Sequence, residues 1–378
     1  MQILSGLVDQ FSVIGFYALS FTFVLTLIVF VHEYGHFKVA RLCGVKVETF
    51  SIAFGREIVG FTDRFGTRWK IGWIPLGGFV KFQGDANAAS MPVTPETDGV
   101  SEVDPGNFHT KPLWQRALVV AAGPFANFIL AIAIFAAYFM AVGQPFMSAK
   151  IGQVLPESAA EIAGLQKGDL VVKLNGEDVL GFNDIQRIVM PRADETINIT
   201  VSRDGREISG VITPKRGEIS DGLGGKVPVG LIGISSEPGA AEFIKKGPVE
   251  ALGLGVNETW QIVSGTFHYL GKMIVGKESA QHLGGPLAIA QISGKAASVG
   301  FGELLRFAAI ISVSIGLINL FPIPLLDGGH LVYYAIEAVR GRPLGPKAQE
   351  MGFRVGFALV IALMIFSTFN DIIRISGL

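Results

Sequence analysis

Apolar residues run without a charge from 11 to 31, from 117 to 149 and from 307 to 326. About 20 apolar residues cross the hydrocarbon core of a bilayer, so each run is long enough for a transmembrane helix. A fourth run, 355–370, is shorter and reaches crossing length with flanking residues such as Met351 to Phe353. Between the runs the pattern changes. Val45 to Phe54, Glu57 to Phe61 and Arg68 to Phe82 alternate well enough for strands, separated by Gly55, Asp63 and Gly66. Residues 151–235 carry short β-branched runs, turns and interspersed charge, which predicts a soluble insert. Residues 248–300 mix Trp260, Phe267, Tyr269 and Leu270 with Glu258, His268 and Lys272, a composition that suits a helix lying on a membrane surface.

Composition agrees with a polytopic membrane protein. Of 378 residues 49% are hydrophobic and 17% charged, too apolar for an ordinary soluble chain. A net charge of −1 gives no reason to expect nucleic acid as a partner. The single cysteine, Cys43, excludes an intrachain disulfide framework and a Cys-rich zinc site. Nothing before Lys38 is basic, so the first run lacks the positive leader of a cleaved signal peptide and is read as a retained span. Lysine and arginine gather in 32–116 and again at Arg340, Arg342, Lys347 and Arg354. Basic short loops stay cytoplasmic, which predicts both termini outside.

The chemistry enters at the end of the first run. His32-Glu33-Tyr34-Gly35-His36 is H-E-x-x-H, which on a helix puts two imidazoles on one face with a carboxylate beside them. A catalytic zinc takes three protein ligands and keeps one position for water. Val39 and Leu42 stand where a metzincin would have its glycine and third histidine. Glu48 and Glu57 lie in strand-like surroundings rather than on the following helix that a thermolysin-like site needs. Span parity returns the chain to the same leaflet at Leu326, where Asp327 opens Asp327-Gly328-Gly329-His330. Pro322 and Pro324 prevent regular helix there, and Gly328-Gly329 is expected to let the backbone turn sharply. Asp327 is the predicted third ligand. His330 is read as a supporting residue, since a fourth ligand would close the site, and His109, His268 and His282 as ordinary polar residues.

H-E-Y-G-H at 32–36, N-x-x-P-x-P-x-L-D-G at 319–328 and Gly-Pro-x-x-Asn at 123–127 together resemble the site-2 protease family of intramembrane zinc metalloproteases. The likeness covers nearly the whole chain and is nearest the bacterial regulator-of-sigma-E type. It implies zinc on His32, His36 and Asp327, Glu33 as general base, and Asn319, Pro322 and Pro324 in a substrate-contacting wall. It further implies a bacterial inner-membrane enzyme with its active site towards the cytoplasm. Its substrates would be single-span proteins such as anti-sigma factors, cut in regulated intramembrane proteolysis.

Ser158 to Glu177 resembles a bacterial PDZ signature: a short helix ending at Gly164, a turn at Gly168-Asp169, a strand, and a hairpin turn at Asn175-Gly176. Phe182 to Val189 fits the second PDZ helix, and Ile197 to Arg203 with Ile208 to Thr213 a hairpin about Asp204-Gly205. Val229 to Ile234 fits a carboxylate-binding loop and closing strand. Such a domain binds peptides or only filters bulky substrates.

The expected fold is therefore four transmembrane helices with a membrane-associated β-sheet and an inserted extracytoplasmic PDZ domain. Its segments are 1–45 with the zinc motif, 46–112 as sheet and loop, 113–149 as second span and 150–236 as PDZ domain. Then come 237–306 as interfacial linker, 307–340 as third span with the L-D-G motif, and 341–378 as fourth span. The lipid bilayer, a single-span protein substrate and a peptide ligand of the PDZ domain are the expected partners. A non-enzymatic membrane PDZ scaffold with a structural zinc is the competing reading.

Overall fold

The computed structural model describes residues 2–85, 105–220, 226–236, 242–276, 279 and 284–376; His282 and parts of the predicted 46–112 and 237–306 segments lie outside them. In chain order, helix α1 (Gln2–Leu42) leads into strands β1 (Val47–Thr62) and β2 (Arg68–Phe82) and then α2 (Leu113–Ala141). A β-rich stretch follows: β3 (Gln144–Phe146), β4 (Ile151–Val154), α3 (Ala159–Ile162), β5 (Leu170–Leu174), β6 (Glu177–Asp178), α4 (Phe182–Val189), β7 (Ile197–Arg203) and β8 (Arg206–Ile212). It closes with β9 (Lys215–Ser220), β10 (Lys226–Leu231), β11 (Ile234–Ser236) and β12 (Glu242–Ile244). The rest is helical: α5 (Pro248–Ile274), α6 (Pro286–Val299), α7 (Phe301–Asn319), α8 (Asp327–Arg340) and α9 (Pro346–Ser376). Two compact units result, Met1–Ala137 with Ala251–His268 and Leu283–Asp371, and Tyr138–Glu250 with Tyr269–His282 and Ile372–Leu378.

Among the described residues four helices are long and apolar enough to cross a membrane: Ser12–Leu42, Leu113–Ala141, Phe301–Asn319 and Lys347–Ser376. They correspond to the four predicted runs. The edges differ for physical reasons. Helix α2 stops at Ala141 rather than 149 because Gly143 adopts a left-handed φ of 107°, and the chain beyond it pairs as β3 with β12. Helix α7 ends at Asn319, and 320–326 is irregular before α8 begins, so the third predicted segment is two helices about a proline-containing break.

In the first unit, α1 is the centre. Val24 and Ile28 are fully buried with Leu304 and Ala308 of α7. Gly44, at φ 68°, stops α1, and the Val45 N–H returns to the Ala40 carbonyl at 2.9 Å. Phe37, Phe50, Val80, Phe82 and Phe108 form a second core that seats the hairpin against α1 and α2. The pairing departs from three simple strands. Phe50 pairs with Val80 on one side and Trp69 on the other, while Phe61 also pairs with Trp69. Two long strands therefore bend into four sheet positions in the order 78–82, 47–52, 68–71, 57–62. The bends fall at Ala53 and Gly55 on β1 and at Gly77 on β2, all with positive φ.

In the second unit, strands order β6-β5-β7-β8, with β11 on β4 and β10 on β9 as separate pairs. The predicted hairpin turns are present, with Asn175-Gly176 and Asp204-Gly205 all at positive φ. Helix α4 spans the predicted Phe182–Val189 and buries Phe182, Ile185, Ile188 and Val189 on one face. Asp169 is buried, and its carboxylate accepts from Arg203 Nε at 2.7 Å and from the Gln166 N–H at 2.8 Å.

Candidate metal centre

His32 and His36 lie one turn apart on α1, both buried. Their Nε2 atoms are 3.2 Å apart. Asp327 Oδ2 lies 3.1 Å from His32 Nε2 and 3.5 Å from His36 Nε2. Among the described residues, these three form the group of His, Cys, Asp and Glu side chains whose ligand atoms gather closely enough to hold a metal ion.

The spacing can be tested against zinc. Ligand atoms about 2.0–2.1 Å from a tetrahedral ion stand about 3.3 Å from one another. The observed triangle brackets that value. The donor chemistry also fits. His36 Nδ1 donates to the Val119 carbonyl at 2.9 Å, so the neutral ring turns its Nε2 lone pair into the triangle. Asp327 Oδ2 is buried without a hydrogen-bond donor. Lone pairs converging on one point repel unless a cation lies between them.

Small residues make this geometry possible. A Cβ on Gly35 would meet the Ala122 carbonyl oxygen at 2.5 Å and Ala126 Cβ at 2.8 Å, so α2 can approach α1 only beside a glycine. A Cβ on Gly123 would run into the His36 ring. At the other wall Gly328 and Gly329 are helical rather than sharply turned, which corrects their expected role. They are small because 320–326 folds back over them: a Cβ on Gly329 would lie 2.7 Å from Pro324 Cα, and one on Gly328 would strike the Phe321 carbonyl. Leu325 holds φ at 111°, an uncommon conformation for a side-chain-bearing residue, kept by this packing.

A cavity of about 200 Å³ opens beside the triangle, lined by Glu33, Gly78, Phe79, Val80, Asn319, Leu325, Leu326 and His330 among others. Asn319 faces this cavity but spends an amide hydrogen on the Ile315 carbonyl at 3.0 Å. Pro322 is exposed, and Pro324 packs against Gly352 and Gly356 of α9, so the two prolines are not among the lining residues. His109 pairs with buried Asp85 at 2.9 Å. Two contacts had no sequence signal as anchors: Val119, which acts through its backbone, and the Arg116–Glu337 pair, which ties α2 to α8 at 2.5 Å.

Comparison with known proteins agrees with the site. The sequence profile of peptidase family M50 matches residues 20–363. A Rhizobium meliloti protein named as a candidate zinc metalloprotease is 48% identical, over 93% of this chain and 95% of its own length. Metalloprotease MmpA of Caulobacter vibrioides is 39% identical over 94% of this chain and 95% of its own. A Rickettsia conorii protein, likewise named as a candidate zinc metalloprotease, is 38% identical over 94% and 98%. These likenesses decide for a protease over a non-enzymatic scaffold. The chain belongs to peptidase family M50, the site-2 protease family, and is a multi-pass membrane zinc metalloprotease.

Proposed function

We propose that the chain hydrolyses peptide bonds in or near the transmembrane segment of single-span membrane proteins, with His32, His36 and Asp327 as zinc ligands and Glu33 as general base. The observation that carries this reading is the meeting of three ligand atoms from α1 and α8 beside a cavity that Glu33 lines. A zinc ion held by these three residues would supply Lewis acidity towards the scissile carbonyl and the attacking water. Glu33 takes the proton from the attacking water and passes it to the leaving amine. Asn319 contacts substrate through the amide atoms that its bond to Ile315 leaves over. Pro322 and Pro324 act indirectly, shaping the loop that presents Leu325 and Leu326.

A helical substrate hides its scissile carbonyl in intrahelical hydrogen bonds and must be unwound. Residues 78–82 occupy the outer position of the bent sheet and line the cavity. Among the described residues no second strand pairs with 78–82, and that edge holds an unwound stretch extended by strand addition. The β-rich segment 150–236 is read as one PDZ domain on the extracytoplasmic side. It either captures a peptide end or excludes bulky substrates. Charge bias supports a bacterial inner-membrane location, with both termini outside and the metal centre towards the cytoplasm. Anti-sigma-factor-like proteins are the substrate class that the family likeness favours.

The test is cleavage of a tagged single-span substrate by the purified chain, with the cut mapped by mass spectrometry. A cut inside or beside the apolar segment, abolished in Glu33→Gln with zinc retained, is expected. Unchanged cleavage by Glu33→Gln would sink the mechanism, and a cut far out in a soluble region would sink the intramembrane reading.

A further inference from the structure

Asn127 is fully buried in α2. A buried amide has to place both of its ends. The neighbouring helix leaves it little choice: Ser312 Oγ of α7 donates to the Asn127 backbone carbonyl at 2.9 Å. A Cβ on Gly316 would come within 3.2 Å of the Asn127 Cβ, so α7 closes that side. The side chain reaches α1, where Nδ2 lies 3.3 Å from Nδ1 of His32 and Oδ1 meets no donor.

As placed, the amide would donate to Nδ1 and leave the ring proton on Nε2, pointing into the ligand triangle. Turning the amide over exchanges two atoms of nearly equal shape. Oδ1 then accepts from Nδ1–H, and the His32 Nε2 lone pair faces Asp327 and His36. We propose that Asn127 is the positioning residue of the metal centre that holds His32 in this tautomer, as the Val119 carbonyl holds His36. The proposal rests on the assignment of His32, His36 and Asp327 as metal ligands.

The helix geometry explains why two such different groups share the task. Val119 and Asn127 stand about 12 Å apart along α2, whereas the two histidines are only about 6 Å apart along α1. Backbone carbonyls point towards a helix C-terminus and side chains lean towards its N-terminus. A carbonyl at 119 and a side chain at 127 therefore converge. An amide at 127 supplies reach that a backbone group there lacks.

The test uses the full chain in detergent, measuring zinc affinity by competition with a chromophoric chelator. Asn127→Leu, which cannot accept a hydrogen bond, is expected to weaken zinc binding about 10–100-fold. Asn127→Asp, whose oxygens can only accept, should restore affinity to within a few-fold of wild type. Without any substitution, ¹⁵N-histidine spectra of the zinc-loaded chain should show His32 protonated at Nδ1 and metallated at Nε2. Wild-type affinity in Asn127→Leu, an equal loss in Asn127→Asp, or a His32 proton on Nε2 would each overturn the proposal. If His32→Ala loses zinc while Asn127→Leu does not, only the role of Asn127 falls. If His32→Ala keeps its zinc, the ligand assignment itself is wrong.

Discussion

His32 Nε2 and Asp327 Oδ2 lie 3.1 Å apart, although one belongs to the first helix and the other to the eighth. Neither residue can hold a metal alone, and the break between α7 and α8 is what carries the carboxylate to the histidines. Replacing Asp327 by Ala should therefore weaken zinc binding by at least about 100-fold, beyond the usual loss from removing a supporting hydrogen bond. Glu33→Gln should keep its zinc and lose about 100- to 10,000-fold in turnover. Metal analysis beside a cleavage assay separates the two. Zinc retained at wild-type strength in Asp327→Ala would refute the third ligand.

Gly123 offers a test of shape rather than chemistry, because it touches nothing reactive itself. A methyl group there would collide with the His36 imidazole. Gly123→Ala should displace the ring and lower cleavage by about 100-fold, the scale expected for a misplacement near 1 Å. Zinc affinity should fall with it. If the variant cleaves normally, the close fit of α2 over His36 is not required.

Asp371, fully buried near the end of α9, accepts from the Gly285 N–H at 2.9 Å and the Ala288 N–H at 3.0 Å. It thereby satisfies orphan donors at the start of α6. Asp371→Ala should cost about 1–3 kcal/mol of stability, with Asp371→Asn losing less because one acceptor survives. Thermal unfolding of the full chain in detergent would read this. Equal losses for the two variants would argue against capping.

The β1–β2 hairpin carries a pH-dependent anchor. Burial pushes the Asp63 carboxyl up, but hydrogen bonds from Trp69 Nε1, Arg41 and the Phe65 and Thr67 N–H groups outweigh it and hold the pKa at about 2. A depressed folded pKa contributes stability above the ordinary carboxyl value near 3.9 and loses it as pH falls towards about 2. Asp63→Asn should therefore be less stable than wild type at pH 7, with the gap closing between about pH 4 and 2. A gap independent of pH would remove the ionised carboxylate from the explanation.

The spans and H-E-x-x-H were legible because each depends on local periodicity: a charge-free run has one favourable environment, and i, i+4 spacing has one face. The turns at Asn175-Gly176 and Asp204-Gly205 were legible for the same local reason. Parity along the chain even brought Asp327 to the depth of the histidines. Other features were hidden because they depend on what packs nearby. The Gly328-Gly329 pair suggests a turn, yet its smallness serves the loop lying over it. The doubled pairing of Phe50 follows from two bends meeting in space, and the anchoring role of Val119 belongs to a carbonyl that every residue possesses.

What the sequence determined by itself was the set of apolar runs, the H-E-x-x-H pattern and the turn chemistry, each written in one local stretch of chain. What only the tertiary structure decided was the triangle of 3.1, 3.2 and 3.5 Å, the reach of Asn127 to His32, and the strand edge beside Glu33. Those distances arise where helices approach through Gly35, Gly123 and Gly316. How closely two helices can pack is a property of both faces together, and no single stretch of chain contains both.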